Sequence, residues 1–144
     1  MTRDALEIAR QSAAAMWAGD KASQAMGMSI EAVGPGTATI AMTVGPAMVN
    51  GLGICHGGFI FTLADSACAF ASNSYDQRAV LQSGEIFLIA PAREGIRLIA
   101  EASERHRGER TGIYDVAVRT GDGEPVAEFR GHIRTIPGKL LPGA

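Results

Sequence analysis

Apolar positions along this chain recur with two different periods. Near the start, Leu6, Ile8, Ala9, Ala13, Met16 and Trp17 fall at helical spacing, which predicts a first helix with Thr2 placed to cap it. Gly19-Asp20 interrupts the pattern, and a short helical piece ending near Met26 follows. The period then becomes two. Met28–Val33 and Thr37–Val44 flank Gly34-Pro35-Gly36, a turn signal. In the second run Ala38, Ile40, Met42 and Val44 alternate with Thr37, Thr39, Ala41 and Thr43, as a half-buried strand does. Residues 56–73, HGGFIFTLADSACAFASN, are apolar on nearly every side and predict one long helix.

Period two returns after that helix. The segment Ala79–Ala90 is closed by Pro91. In Ile96–Arg107, Ile96, Leu98, Ala100 and Ala102 alternate with Arg97, Glu101 and Arg105. A turn at Gly108-Glu109 leads into Arg110–Thr120, where Tyr114, Val116 and Val118 share a face. Gly121-Asp122-Gly123 signals a hairpin. The last strand, Val126–Ile136, puts Ala127, Phe129, Gly131 and Ile133 on one side and Glu128, Arg130, His132 and Arg134 on the other. The expected order is helix, hairpin, long helix, then a meander of about four strands, an α+β chain with one antiparallel sheet. A helix apolar all round must be enclosed on most sides, and one sheet face covers only one. A second copy of the chain is the economical cover for the rest.

Within that helix stands Asp65. An ionised carboxylate is costly to bury unless it is paired. Its helical neighbours at spacings of three and four are Phe61, Thr62, Cys68 and Ala69, none of them a base. Such a site raises a carboxylate's pKa and marks it as a functional candidate. The alternative is a structural acid bonded to a sheet arginine or to loop amides. His56-Gly57-Gly58 opens the helix. Glycines at a helix start leave N–H groups open to close approach, where the dipole favours negative charge. That suits the oxyanion of an acyl intermediate, though two glycines also serve a sharp entry turn. Gly57 and Asp65 are eight residues apart, roughly 12 Å along one helix. One substrate carbonyl cannot lie within about 3 Å of both. If they cooperate, they come from two helices packed antiparallel across a two-fold axis.

Composition narrows the partners. The 144 residues are 47% hydrophobic with a net charge of −2, which gives no footprint for nucleic acid. Residues 93–144 hold nine Lys/Arg against eight Asp/Glu, whereas residues 1–92 hold four against seven. That slight lean fits a small phosphorylated ligand. No run approaches the ~18 apolar residues of a membrane span, and MTRDALEIARQ has no signal core. Cys55 and Cys68 form neither a disulfide framework nor a zinc spacing, so a cytoplasmic protein with reduced thiols is expected.

The pattern Asn50-Gly51, Cys55-His56-Gly57-Gly58 and Leu63-Ala64-Asp65 resembles that of the hotdog-fold acyl-CoA thioesterases, in the phenylacetic acid degradation (PaaI-like) branch. HRGERTGIYDV (106–116) and AEFRGHIRTI (127–136) add to the likeness, which runs from about Ala22 to the C-terminus. The resemblance implies a single hotdog domain over residues 1–144, with 1–26 as a helical extension and the sheet wrapped around the long helix. It implies dimers joined edge to edge and dimers paired into tetramers. It gives the Gly57 amide the task of polarising the thioester carbonyl, and Asp65 of the other subunit that of nucleophile or general base. Asn50 matches a residue that positions water or the acyl group. Ala90 stands where many relatives carry an Arg before the proline; Arg93, three residues on, is a substitute. Arg93 and Arg110, with Gly58, Thr111 and Gly112, are the expected CoA contacts.

Hydrolysing a thioester needs an oriented nucleophile and an oxyanion site, and neither a metal nor a cofactor is expected. His56 is expected to shape the helix entry, beside the catalytic set of Asp65, Gly57 and Asn50. A Cys55–His56 nucleophile lacks a third orienting group. His106 and His132 fall on strands as ordinary surface or interface residues. The function expected is release of free acid and CoA from a (hydroxy)phenylacetyl-type aryl or medium-chain acyl-CoA. The rivals are a hotdog hydratase or dehydratase and a non-catalytic acyl-CoA-binding module.

Overall fold

The computed structural model describes residues 3–143. Helix α1 (Ala5–Gly19) is followed by the short α2 (Lys21–Ala25). Thr2 lies outside the described residues; Asp4 holds the cap position of α1 and accepts from the Glu7 amide at 2.8 Å. Strands β1 (Ser29–Gly34) and β2 (Thr37–Thr43) form the first hairpin. Gly36 takes the left-handed conformation at φ 71°, and a Cβ there would stand 2.9 Å from the Tyr75 hydroxyl. A 3₁₀ turn (Pro46–Met48) and a loop lead into α3 (Gly57–Ser72). Strands β3 (Ala79–Leu88), β4 (Arg97–Arg107), β5 (Thr111–Thr120) and β6 (Pro125–Thr135) complete the chain.

The six strands make one antiparallel sheet in the order β1-β2-β4-β5-β6-β3. The expected four-strand meander needs correction: only β4-β5-β6 runs as one. After α3, β3 crosses to the far edge and pairs with β6, Leu88 opposite Ala127 and Ala79 opposite Thr135. Alternation along a strand tells which face is buried, not which strand lies beside it. The crossover runs through α3, which packs against every strand of the sheet.

The sheet's concave face and α3 enclose the core. Ile60, Leu63, Ala64, Ala67, Cys68, Phe70 and Ala71 of α3 meet Ile40, Met42, Leu98, Ala100, Tyr114, Val116, Val118 and Phe129. Phe61 packs edge-on against Phe129, ring centroids 5.3 Å apart. The outward positions of β6, Glu128, Arg130, His132 and Arg134, are exposed as their alternation requires. A stripe of α3 is left partly open: Gly58, Phe61, Thr62, Asp65 and Ala69. The edge strand β3 also has little cover, with Phe87 71% and Leu88 49% exposed.

Candidate active site

The loop before α3 is folded by Asn50. Its Oδ1 accepts from the amides of Leu52 (2.9 Å) and Ile54 (3.3 Å), while its own amide donates to the Ile54 carbonyl. An Asx turn of this kind suits the residue. It leaves the Asn50 side-chain NH₂ without a partner among the described residues. Bridges Val49–Cys55 and Ile54–Arg93 hold the loop beside the segment that follows β3.

His56 is the N-cap of α3. Its Nδ1 accepts from the Gly58 amide at 3.3 Å, and its carbonyl accepts from Phe59. With Nδ1 an acceptor, a neutral ring carries its proton on Nε2. Two of the first amides of α3 are thus used up. The Gly57 amide is not: among the described residues it donates to nothing. An unengaged N–H at the positive end of a four-turn helix is ready for an oxyanion. Beside it lies a hollow of about 270 Å³ lined by Ile54, Cys55, Ile60, Leu88, Ile89, Ala90 and Pro91.

Asp65 lies two turns further on, half-buried on the open stripe. None of the ion pairs among the described residues reaches it; the arginines that pair take Glu31 and Asp115 instead. Burial pushes its carboxyl above the ordinary carboxylate range, and the charge of Asp20 adds to the shift. The sheet-arginine partner weighed as an alternative is therefore not made within one protomer.

The expected residues form two groups. Asn50, His56, Gly57, Gly58 and Arg93 gather where β3 ends. Arg110, Thr111 and Gly112 sit at the opposite end of the sheet, where Thr111 pairs with Arg134 and Gly112 with Ile133. Seven strand positions separate the two ends, about 20 Å. Thr111 and Gly112 line a separate hollow of about 280 Å³ with Gln82, His106, Ile113, His132 and Ile133.

Three further groups take their partners only from the folded chain. Asp20 caps α2 and is the charge felt by Asp65; an Asp at a helix break is a recognisable cap signal. Ser83 meets His132 Nδ1 at 3.1 Å on the outer sheet face, a pairing set by the β3–β6 register. Glu104 Oε1 accepts from both Tyr75 (2.9 Å) and Tyr114 (2.8 Å). Nothing in the spacing of those three residues announces it.

Known proteins match this chain in sequence and fold. The chain fits the thioesterase superfamily over residues 52–127, the span from the loop before α3 into β6. It is 39% identical over 130 residues to the acyl-coenzyme A thioesterase PaaI of Escherichia coli, covering 90% of this chain and 93% of that protein. This chain belongs to the thioesterase superfamily. Within it, the chain falls in the hotdog-fold, PaaI-like branch and is an enzyme, a thioester hydrolase. The solved E. coli PaaI protein from the phenylacetic acid degradation operon superposes with a TM-score of 0.93 at 38% identity, over 94% of this chain and 99% of that one. The phenylacetic acid degradation protein PaaI of Thermus thermophilus, solved as a mutant, gives 0.78 at 35% identity, over 81% of this chain and all of that one. The thioesterase match begins just before His56 and takes in Gly57 and Asp65 on the same helix.

Proposed function

We propose that this enzyme hydrolyses an acyl-CoA thioester, a (hydroxy)phenylacetyl-type aryl or medium-chain ester, to the free acid and CoA. The observation that carries the reading is a Gly57 amide and an Asp65 carboxylate, both without a partner among the described residues, on one helix of a thioesterase-family chain. The thioester oxygen rests on the Gly57 N–H. Asp65 takes a proton from water, and the resulting hydroxide adds to the carbonyl carbon. Collapse of the oxyanion breaks the C–S bond, and the CoA thiolate leaves with the proton. In the other course Asp65 itself adds to the carbonyl, and collapse of the oxyanion expels CoA thiolate and leaves a mixed anhydride. Water then cleaves the anhydride to the free acid and the Asp65 carboxylate, with the released proton going to the thiolate. The Asn50 NH₂ is placed to hold the acyl group or water, and His56 keeps the helix entry in shape.

The working site is shared between two subunits. Gly57 and Asp65 lie too far apart on one helix to meet one carbonyl, and Arg93 and Arg110 stand at opposite ends of the sheet. A two-fold partner joined along β3 reverses direction, bringing the far end of one protomer beside the near end of the other. The same contact covers Phe87, Leu88 and the open stripe of α3. Arg93 and Arg110 hold CoA phosphates, with Gly58, Thr111 and Gly112 giving backbone contacts, and dimers pair into tetramers. The whole chain works as one hotdog unit in the cytoplasm, with residues 1–26 as its helical extension. Two free buried cysteines agree with that compartment.

The test is thiol release from phenylacetyl-, hydroxyphenylacetyl-, benzoyl- and straight-chain acyl-CoA, with wild type and Asp65→Asn side by side. Wild type is expected to prefer an aryl-acetyl or medium-chain ester, and Asp65→Asn to lose at least about 100-fold in kcat while still binding CoA. Equal turnover by the two proteins removes Asp65 from the chemistry.

A further inference from the structure

Helix α3 carries three hydroxyls, and they behave differently. Thr62 Oγ1 bonds back to the Gly58 carbonyl at 2.9 Å, and Ser72 Oγ to the Ala69 carbonyl at 3.3 Å. Such back-bonding is the usual outcome for a hydroxyl inside a helix. Ser66, next to Asp65, instead reaches out of its helix to Ser23 Oγ at 2.9 Å. Ser23 Oγ in turn lies 2.7 Å from Asp20 Oδ2, and the Ser23 amide donates to Asp20 Oδ1 at 3.0 Å. Ser23 is 1% exposed and Ser66 9%.

The carboxylate sets the direction of this chain. An ionised Asp20 only accepts, so the Ser23 O–H donates to it, and the Ser66 O–H donates to Ser23 Oγ. Asp20 is at once the C-cap of α1 and the N-cap of α2. The relay therefore ties the junction of the two N-terminal helices to the turn of α3 that bears Asp65. Asp65 has no hydrogen bond or ion pair of its own among the described residues, so the setting of that turn decides where its carboxylate points.

We propose that Asp20 is a positioning residue for the hydrolytic step: through Ser23 and Ser66 it fixes the turn of α3 from which Asp65 works. The inference rests on the assignment of Asp65 given above. The N-terminal helices thereby become part of the catalytic apparatus rather than an appendage.

Kinetics of the full-length oligomer with phenylacetyl-CoA test it. Asp20→Asn keeps the size of the side chain but removes its charge. The expected result is a kcat lower by about tenfold with KM within about twofold, the scale of one lost hydrogen bond to a charged group. Its acid limb should also move to lower pH. Among the groups near Asp65, Asp20 is the charge acting on it from another element, and Cys68, from its own helix, is a neutral thiol. Ser66→Ala cuts the relay and leaves that charge, so kcat should fall with the acid limb unmoved. Wild-type kcat in Ser66→Ala overturns the proposal. So does an unmoved acid limb with wild-type kcat in Asp20→Asn. If Asp20→Asn does not fold, Ser66→Ala alone decides. Asp65→Asn run alongside separates the two readings: if it stays fully active, the assignment of Asp65 falls; if it is dead while Asp20→Asn and Ser66→Ala match wild type, only the relay falls.

Discussion

Leu88, the last residue of β3, lies over Gly57, the first residue of α3: a Cβ built on Gly57 would stand 2.8 Å from Leu88 Cδ1. The strand end roofs the helix start, and the absent side chain leaves room beside the free amide. Leu88 is half-exposed and able to swing away. Gly57→Ala is therefore expected to fold, shifting the denaturation midpoint by less than about 1.5 kcal/mol, the size of a small overpacking cost. The methyl and the displaced leucine should crowd the carbonyl site, lowering kcat/KM by about 100-fold, the scale of a lost oxyanion donor. Urea melts and thiol-release kinetics on one preparation check both; a large loss of stability with intact specific activity would reverse the assignment.

The proposal that two subunits share the site makes a sharper prediction. On the proposed assignment, Asp65→Asn and Gly57→Val should each be inactive as homodimers. A mixed dimer carries both lesions in one site and neither in the other. Refolding the two together should restore about a quarter of wild-type activity, since half of random dimers are mixed and each has one whole site. No recovery, with mixed dimers shown to be present, means that each site is built within one chain.

Asp65 should also show itself in stability. Burial and the Asp20 charge hold its proton more tightly in the folded chain than in the unfolded one. The folded state then binds more protons than the unfolded state between the ordinary carboxylate pKa and the raised one, so stability falls as pH rises through that window. Above it, ionised Asp65 is a standing cost. Asp65→Asn should melt higher than wild type at pH 7–8, with the gap closing as the pH drops below about 4, the ordinary aspartate value. Thermal melts of both proteins across that range check it. A gap of the same size at every pH would mean that the carboxylate's charge is not what strains the fold.

Glu104 offers a test far from the chemistry. Its Oε1 receives the hydroxyls of Tyr75 and Tyr114, the latter buried and its phenol pushed up by burial and by Glu104. Glu104→Ala leaves the Tyr114 hydroxyl stranded and should cost about 1–3 kcal/mol. Glu104→Gln keeps an acceptor and should recover much of that. Equal losses in the two variants would show that packing of the glutamate stem, not the shared acceptor, is what matters.

Most of the elements could be read from the residues because period and punctuation agree there. Pro35-Gly36 and Gly121-Asp122-Gly123 close hairpins where turn chemistry places them, and Val116, Val118, Phe129 and Ile133 are buried as their alternation requires. The position of β3 was not legible. It reads as a strand, but its neighbour is β6, some forty residues later, and alternation carries no such address. The candidate residues His56, Gly57 and Asp65 were legible because helix-start chemistry and a carboxylate in an apolar helix are both anomalies. Asp20 reads as a helix break in sequence. It becomes a neighbour of Asp65 only once α2 packs on α3 and Ser23 reaches Ser66, a tertiary contact between residues 43 positions apart. The two-tyrosine acceptor at Glu104 is hidden for the same reason.

The pairing of β3 with β6 has a consequence for how the molecule comes into being. Among the described residues of one protomer β3 pairs with β6 alone, so the roof that Leu88 makes over Gly57 waits for the last strand. The first hairpin and α3 are built from earlier residues than the strand that β3 pairs with. Long-range pairing of this kind is slow, because loop closure must precede it. The start of α3 therefore stays unroofed until Pro125–Thr135 is free to pair, and β3 is expected to be the last strand to order, ahead only of the subunit contact proposed to complete the site.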